Sequence, residues 1–401
     1  MPTRRASLLS LLATAGSLLA QYGATPLGPG NRVRDINGAG TVVGDSGGLG
    51  APFVSGPHRP HELLPLPAGY GWGIATAIND YGVIVGTVNV TNSSIQKAAV
   101  WTPDSTDTYQ VQLLSPPSAV NSIARDINER GNIIGTTQGA GLQATSVQFQ
   151  LGGAPVDLSA LGAPLLAERV NNHGLLVGRS GDLFDLETMQ PVSLPPLPAN
   201  WSSFEGYAVN DRGELGGRAD VGGLRAPCVW TIAGGWQLLA PLSTFASASD
   251  RVWAINSQGD AIGARQTFLG GSELFVRLAS GGTLTAPQLG AVPFASSGMA
   301  INDAGQFALF GIGTGFVGAA LLTPAACGPN GSQQNLGQQG PGPLAATLCG
   351  PGLAAGQASL YATTGAPANA TGALLISLEG SPSVPAFGGT LVALSGLLGV
   401  V

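Results

Sequence analysis

The sequence predicts an all-β protein: a seven-bladed β-propeller closed by an N-terminal strand, followed by a small C-terminal β-sandwich module. The first observation behind this is a segment of the form (Ala/Asp/Arg)-(Ile/Val)-Asn-x-x-Gly that occurs seven times, with its Asn at Asn37, Asn79, Asn128, Asn171, Asn210, Asn256 and Asn302. The steps of 42, 49, 43, 39, 46 and 46 residues are each the length of one four-stranded blade. The second is the texture between the repeats, where short apolar runs alternate with polar or small residues and no window carries a sustained helical period. The third lies at the ends of the array. The last unit has a third strand, Ala319-Ala320-Leu321-Leu322, but no fourth, while Tyr22 to Leu27 precedes the first unit in the place of a fourth strand. The N-terminal segment is therefore expected to complete the seventh blade and remove the open edges. An open β-solenoid, or a six-bladed ring with one degenerate unit, is the alternative.

Within a unit, Ala77-Ile78 ends one strand and Asn79-Asp80-Tyr81-Gly82 forms a tight turn. Asn tolerates left-handed φ and can bond the backbone two residues on, while Gly takes positive φ without a Cβ clash. Val83-Ile84-Val85 returns as the second strand, and Gly86 marks a close backbone approach. Third strands read Ala98-Ala99-Val100-Trp101 and Ala226-Pro227-Cys228-Val229-Trp230, and fourth strands read Val111 to Leu114 and Trp236 to Leu239.

This pattern resembles the HAF-repeat family of bacterial extracellular proteins, in which a His-Ala-Phe-like third strand often ending in Trp precedes the next Ala-Ile-Asn-x-x-Gly hairpin. Here Ala51-Pro52-Phe53-Val54, Ala98 to Trp101 and Ala226 to Trp230 hold that place, and the leading His is missing from all three. The resemblance spans roughly residues 22–324. It implies an exported, propeller-like domain and brings no catalytic residues with it.

Three segments follow: residues 1–20 as a signal peptide, 21–325 as the propeller and 326–401 as the C-terminal β module. Arg4 and Arg5 precede the uncharged stretch Ala6 to Leu19, and Ala20-Gln21 is a plausible cleavage point. A single membrane anchor is the rival, although the stretch is shorter than the roughly 20 residues a span needs. The expected place is thus secreted or cell-surface, with no transmembrane span in the mature chain, which is expected to be a monomer. Charged residues make up 9% of the chain and the net charge is -6, which excludes a nucleic-acid-binding surface.

Beyond residue 326 charge almost vanishes. Ser359 to Thr364, Ala373 to Leu378 and Phe387 to Val392 read as strands, and the Gly-Gly-Thr-Leu ending is similar to C-terminal modules of planctomycete exported proteins. A surface anchor is the rival reading of this apolar tail. Cys327 and Cys349 bracket a Gly/Pro/Gln-rich segment and could pair in an exported protein, whereas Cys228 lies in a strand as a small buried hydrophobe.

Sites of chemistry are scarce. His58-Arg59-Pro60-His61-Glu62 holds two imidazoles and a carboxylate but is best read as a polar loop between third and fourth strands, and His173 as a solvated turn residue. Asp35 and Asp126 precede the repeated Ile-Asn, and Asp80, Asp211 and Asp303 follow it. Calcium takes such oxygen ligands, but acids that cap their own turns are the simpler account, so no metal site and no cofactor is assigned. No Gly-x-Ser-x-Gly elbow or phosphate loop occurs, and no catalytic residue is assigned. Trp72, Tyr207 and Trp253 lie just before the repeated Asn and are the ligand-binding candidates, suited to sugar or peptide contact. Packing between blades explains them as well. The expected function is a non-catalytic binding or cell-envelope interaction protein that takes a glycan, peptide or envelope component on one propeller face. A propeller-scaffold hydrolase or lyase, with acids converging on the central channel, and a purely structural envelope component are the alternatives.

Overall fold

A computed structural model describes most of residues 22–324, omitting 30, 48–49, 58, 115–118, 140–142, 165, 243–249, 267–271, 280–281, 286–294 and 314–315, and beyond 324 the backbone of strands between 332 and 400. The expected signal peptide therefore lies outside the described residues. Seven four-stranded antiparallel sheets follow one another, each with its strands in sequence order from the axis outward. Blade 2 is representative: inner strand Tyr70–Ile78, then Ile84–Val90, Gln96–Pro103 and outer strand Tyr109–Leu113. Blade 7 combines Ala295–Ile301, Phe307–Gly313 and Phe316–Pro324 with the N-terminal strand Tyr22–Pro29, which pairs antiparallel with Phe316–Pro324 from Tyr22 opposite Pro324. The expected closure is thus present, and the chain is a seven-bladed propeller.

Each blade buries both faces, because its neighbours cover it on either side. Seven hydrophobic clusters occupy the seven interfaces between blades. Adjacent residues of one strand serve different interfaces: Ile84 packs toward blade 1 and Val85 toward blade 3. This is why second strands read as continuous apolar runs instead of alternating with polar residues. Trp101, fully buried, also donates its indole N–H to the Pro65 carbonyl at 2.8 Å, joining blade 2 to the segment that leads out of blade 1. Cys228 is fully buried in the blade 4/5 cluster, and burial pushes its thiol up, as suits a small hydrophobe.

The repeated Asn closes the ring. Its Nδ2 donates to the backbone carbonyl of the equivalent Asn in the next blade: Asn37 to Asn79 at 3.2 Å, Asn79 to Asn128 at 3.3 Å, Asn128 to Asn171 at 2.8 Å and Asn171 to Asn210 at 2.9 Å. Asn210 continues to Asn256 at 2.8 Å, Asn256 to Asn302 at 3.2 Å, and Asn302 returns to Asn37 at 3.0 Å. Its Oδ1 accepts the N–H four residues on, as from Val83 at 2.9 Å and Asn132 at 2.9 Å. The seven side chains are 2–7% exposed, so these bonds are shielded from water. The expected left-handed φ is not taken by this Asn; the turn Gly carries it in all seven units, at φ between 69 and 91°. The Asn itself stays out of the left-handed region and aims its amide at the next blade.

The acid after the Asn also reaches a neighbour and does not cap its own turn as expected. Gly38 N–H donates to Asp80 at 2.6 Å, Asp80 N–H to Glu129 at 2.9 Å, Glu129 N–H to Asn172 at 2.8 Å, Asn172 N–H to Asp211 at 2.8 Å and Ser257 N–H to Asp303 at 2.7 Å.

Past the propeller, the strands Ser332–Asn335, Ala345–Gly350 and Leu360–Thr364 form one three-stranded sheet, with two further two-stranded pairings. The expected sandwich packing and the Cys327–Cys349 pairing rest on side chains outside the described residues.

Candidate functional site

The second Gly of the repeat builds the site. A Cβ on Gly86 would fall far inside contact distance of the Ile74 carbonyl oxygen, and the same holds for Gly44 against Arg32, Gly135 against Ile123, Gly217 against Glu205 and Gly263 against Arg251. This approach accompanies a register skip on the inner strand in blades 1 to 6, always at the third residue before the repeated Asn. A bulge re-aims the side chain of its extra residue, and on an innermost strand the free direction is the central channel. The six bulged residues are Arg34, Thr76, Arg125, Glu168, Tyr207 and Trp253. In blade 7, Leu309 stands where the other blades have Gly, and the skips fall elsewhere, between Ala295 and Ser297 and between Ser297 and Met299.

The structure thus brings together Tyr207 and Trp253, two of the three sequence-derived candidates. Tyr207 is 8% exposed. The Arg251 guanidinium lies between them, 3.8 Å from the Tyr207 ring centroid and 4.0 Å from that of Trp253. Their faces hold a cation in place, and Trp253 also packs against the blade 6/7 cluster. Trp72 stands apart in blade 2, 37% exposed, its Cβ against Gly50 of blade 1.

Around this stack runs an arc of charge from blade 3 to blade 6. Glu168 pairs with Arg179 of the same blade, and Arg179 lies 5.9 Å from the Tyr207 ring. Tyr207 donates its hydroxyl to Glu205 at 2.8 Å, and Arg218 contacts the same Glu205 oxygen at 2.7 Å. Burial raises the Tyr207 hydroxyl, opposed by the attraction of Arg251 and reinforced by Glu205. Arg125 and Arg251 have no carboxylate in ion-pair contact among the described residues. Burial pushes both guanidinium groups down, opposed by the attraction of Glu168 at Arg125 and of Tyr207 at Arg251, with a smaller repulsion from Arg179 in each case. Arg251 Nε and Trp253 Nε1 are buried without a hydrogen-bond partner among the described residues. Across the channel, Arg34 pairs with Asp45 at 3.0 Å.

One residue closer to the Asn ring lie Asp35, Asp126 and Arg169. Asp126 accepts the Val170 N–H at 2.8 Å and Asp35 the Ile78 N–H at 3.0 Å, each from the next blade. Arg169 lies 4.0 Å from Asp126 and attracts both acids. Burial outweighs that attraction, so Asp35 is raised and Asp126 is pushed up to about 7. Asp35 and Asp126 thus lie close enough to repel one another, whereas Asp80 and Asp303 fan out around the turns. The reason is position: residues before the Asn face the axis, and those after it face the neighbouring turn.

Arg59 to Leu63 is the outer strand of blade 1, not the expected loop, with His61 stacked 5.1 Å from Phe53 and His58 outside the described residues. His173 is an exposed turn residue. No group of three or more potential metal ligands occurs among the described residues. Among the described residues, no helix is long and apolar enough to cross a membrane.

No protein-family model and no curated protein matches the chain. Solved structures similar to it include YCF48 bound to D1 peptide, at 12% identity over 76% of this chain and 97% of that one, with a TM-score of 0.47. A catalytically inactive variant of virginiamycin B lyase from Staphylococcus aureus with quinupristin shares 10% identity over 76% of this chain and 99% of that one, at 0.44. BP39L lectin from Burkholderia pseudomallei shares 10% identity over 75% and 97%, at 0.43. At such identities, what those proteins bind or do stays with them.

Proposed function

We propose that this chain is an exported binding protein that receives its ligand in the central channel, from the face where the inner strands begin, and performs no chemistry on it. The observation that carries this reading is the Arg251 stack: a guanidinium held between Tyr207 and Trp253, with buried donors on Arg251 and Trp253 left unpaired among the described residues. Unpaired buried donors cost about 1–3 kcal/mol each, a cost that a ligand supplying acceptors would relieve. The opposite end is less suited, because its turn groups are already spent on the Asn ring and on bonds between neighbouring turns. Export rests on the Arg4-Arg5 and Ala6 to Leu19 pattern.

The test is a glycan and peptide array probed with the full chain, with and without calcium. Saturable binding of one ligand class, weakened by Arg251→Gln, is the expected result. Absence of binding to either array under both conditions would overturn the reading. A hydrolase or lyase is favoured by one observation, the Asp126 carboxyl near 7, a value suited to proton transfer at neutral pH. Product release from a bound glycan, abolished by Asp126→Asn, would establish that second reading instead.

A further inference from the structure

We propose a second binding site, on the outer rim between blades 1 and 2, that takes one neutral sugar unit through its hydroxyl groups. It is independent of the channel, since it lies on outer strands, at the far edge of each blade from the axis.

The site is a cavity of about 300 Å³ lined by Arg59, Pro60, Glu62, Thr106, Asp107 and Thr108. That volume is at the lower end of small-ligand pockets, enough for one hexose ring. Blade 1 supplies Arg59, Pro60 and Glu62 from its outer strand, and blade 2 supplies the rest from the hairpin between Gln96–Pro103 and Tyr109–Leu113. Arg59 clamps the two walls together. Its guanidinium lies 4.7 Å from the Tyr109 ring centroid, and its Nη2 donates to Glu62 at 3.0 Å and to the Asp107 carbonyl at 2.5 Å. Both bonds use Nη2, so Nη1 keeps its donors while the side chain is already held in place.

Asp107 is the residue that marks the cavity as a site. Asp104 builds the hairpin around it, its Oδ1 accepting the N–H of Thr106 at 2.8 Å, the N–H of Thr108 at 3.1 Å and the Thr106 hydroxyl at 2.7 Å. Asp107 takes φ 60°, a left-handed conformation that glycine adopts with less strain. Its N–H donates to the Asp104 carbonyl and its own carbonyl accepts from Arg59. The exposed carboxylate makes no hydrogen bond and no ion pair among the described residues. A charged side chain kept on a strained backbone, and left idle by the fold, is placed for a ligand.

The mixture of charges selects that ligand. Glu62 and Asp107 repel an anion, and Arg59 repels a cation at the same short range. A hydroxyl group suits both, because it donates to a carboxylate and accepts from a guanidinium. Two neighbouring hydroxyls can share the two oxygens of Asp107 while a third oxygen accepts from Nη1 of Arg59. The Tyr109 ring is only 4% exposed, with Arg59 over its face, so recognition falls to these hydrogen bonds and not to ring stacking.

The experiment is a titration of the full-length protein with the methyl glycosides of glucose, galactose, mannose and fucose, read by saturation-transfer NMR on the sugar. Glucuronate and glucosamine serve as the anionic and cationic counterparts. Saturable binding of at least one neutral glycoside is expected, with both charged sugars at least tenfold weaker. Asp107→Gly should weaken binding at least tenfold while its unfolding midpoint is no lower than the parent's, because the strained φ is relieved. Asp107→Asn, which keeps a side chain suited to that φ, should weaken binding as well. Arg225→Gln, which alters an exposed pair with Asp220, should leave it unchanged. Binding that survives Asp107→Gly, or a charged sugar that binds as tightly as the neutral ones, would overturn the inference. A signal lost with Arg251→Gln but kept in Asp107→Gly would place the sugar in the channel, so that the rim site falls and the channel reading stands. If no neutral glycoside binds, the rim site also falls, and the channel reading is decided separately by the arrays.

Discussion

Replacing Asn128 by alanine should be among the most damaging single truncations in the propeller, although it deletes only one small polar group. The side chain makes three bonds: Nδ2 to the Asn171 carbonyl at 2.8 Å, and Oδ1 from the N–H of Asn132 at 2.9 Å and of Arg130 at 3.1 Å. Asn128 is 3% exposed, so water does not readily replace it. Arg130 is exposed and can rehydrate, which leaves two backbone groups stranded. At about 1–3 kcal/mol for each buried unsatisfied group, the loss is about 2–6 kcal/mol. It falls at the junction of blades 3 and 4, where Asp126 also bridges to Val170. Guanidinium-induced unfolding followed by tryptophan fluorescence measures it, with Gln258→Ala, an exposed turn residue, as a control expected within about 0.5 kcal/mol of the parent. A cost below about 1 kcal/mol for Asn128→Ala, or equal costs for the two variants, would refute the argument that the Asn ring holds the blades together.

Gly86→Ala should cost about 1–3 kcal/mol or more, because the added methyl meets the Ile74 carbonyl and must flatten the bulge; unfolding of the purified variant reads it directly. Stability should fall as pH rises from about 4 to about 7, because the native state keeps a proton on Asp126 that the unfolded chain has already released, and the proton contribution is gone once pH passes the folded value of about 7. Asp126→Asn should flatten that slope, which is at most about 1.4 kcal/mol per pH unit for one group, in a pH series of denaturation midpoints. Deleting residues 22–29 should expose the edge of Phe316–Pro324 and remove the buried Leu27 from the blade 7/1 cluster, giving aggregation visible by light scattering.

The blade count, the closure and the order of strands were legible in the sequence because each depends on local spacing. Asn and Gly at fixed positions dictate a turn wherever they stand, and the missing fourth strand after Leu322 could be matched to Tyr22–Leu27 by counting. The bulge was half legible: Tyr207 and Trp253 share an offset from the Asn, and the same offset gives Arg34, Arg125 and Glu168. That common position is the signal for the channel wall in the sequence, and it is a matter of register, not of residue chemistry. Arg251, Arg179 and Arg218 carried no such signal, since they come from three successive blades at different offsets from the repeated Asn.

The repeat by itself therefore determined the scaffold, because hairpin turns and strand pairing are fixed by residues close in sequence. Only the tertiary structure decided what the repeated residues are for. Asn reaches the next blade about forty residues away, the acid beside it bonds a neighbour's turn, and the glycine after them lets the inner strand bulge. Closing the ring is what sets Arg251 between aromatic rings of two blades. Such convergence has no period, so no count along the chain could have revealed it.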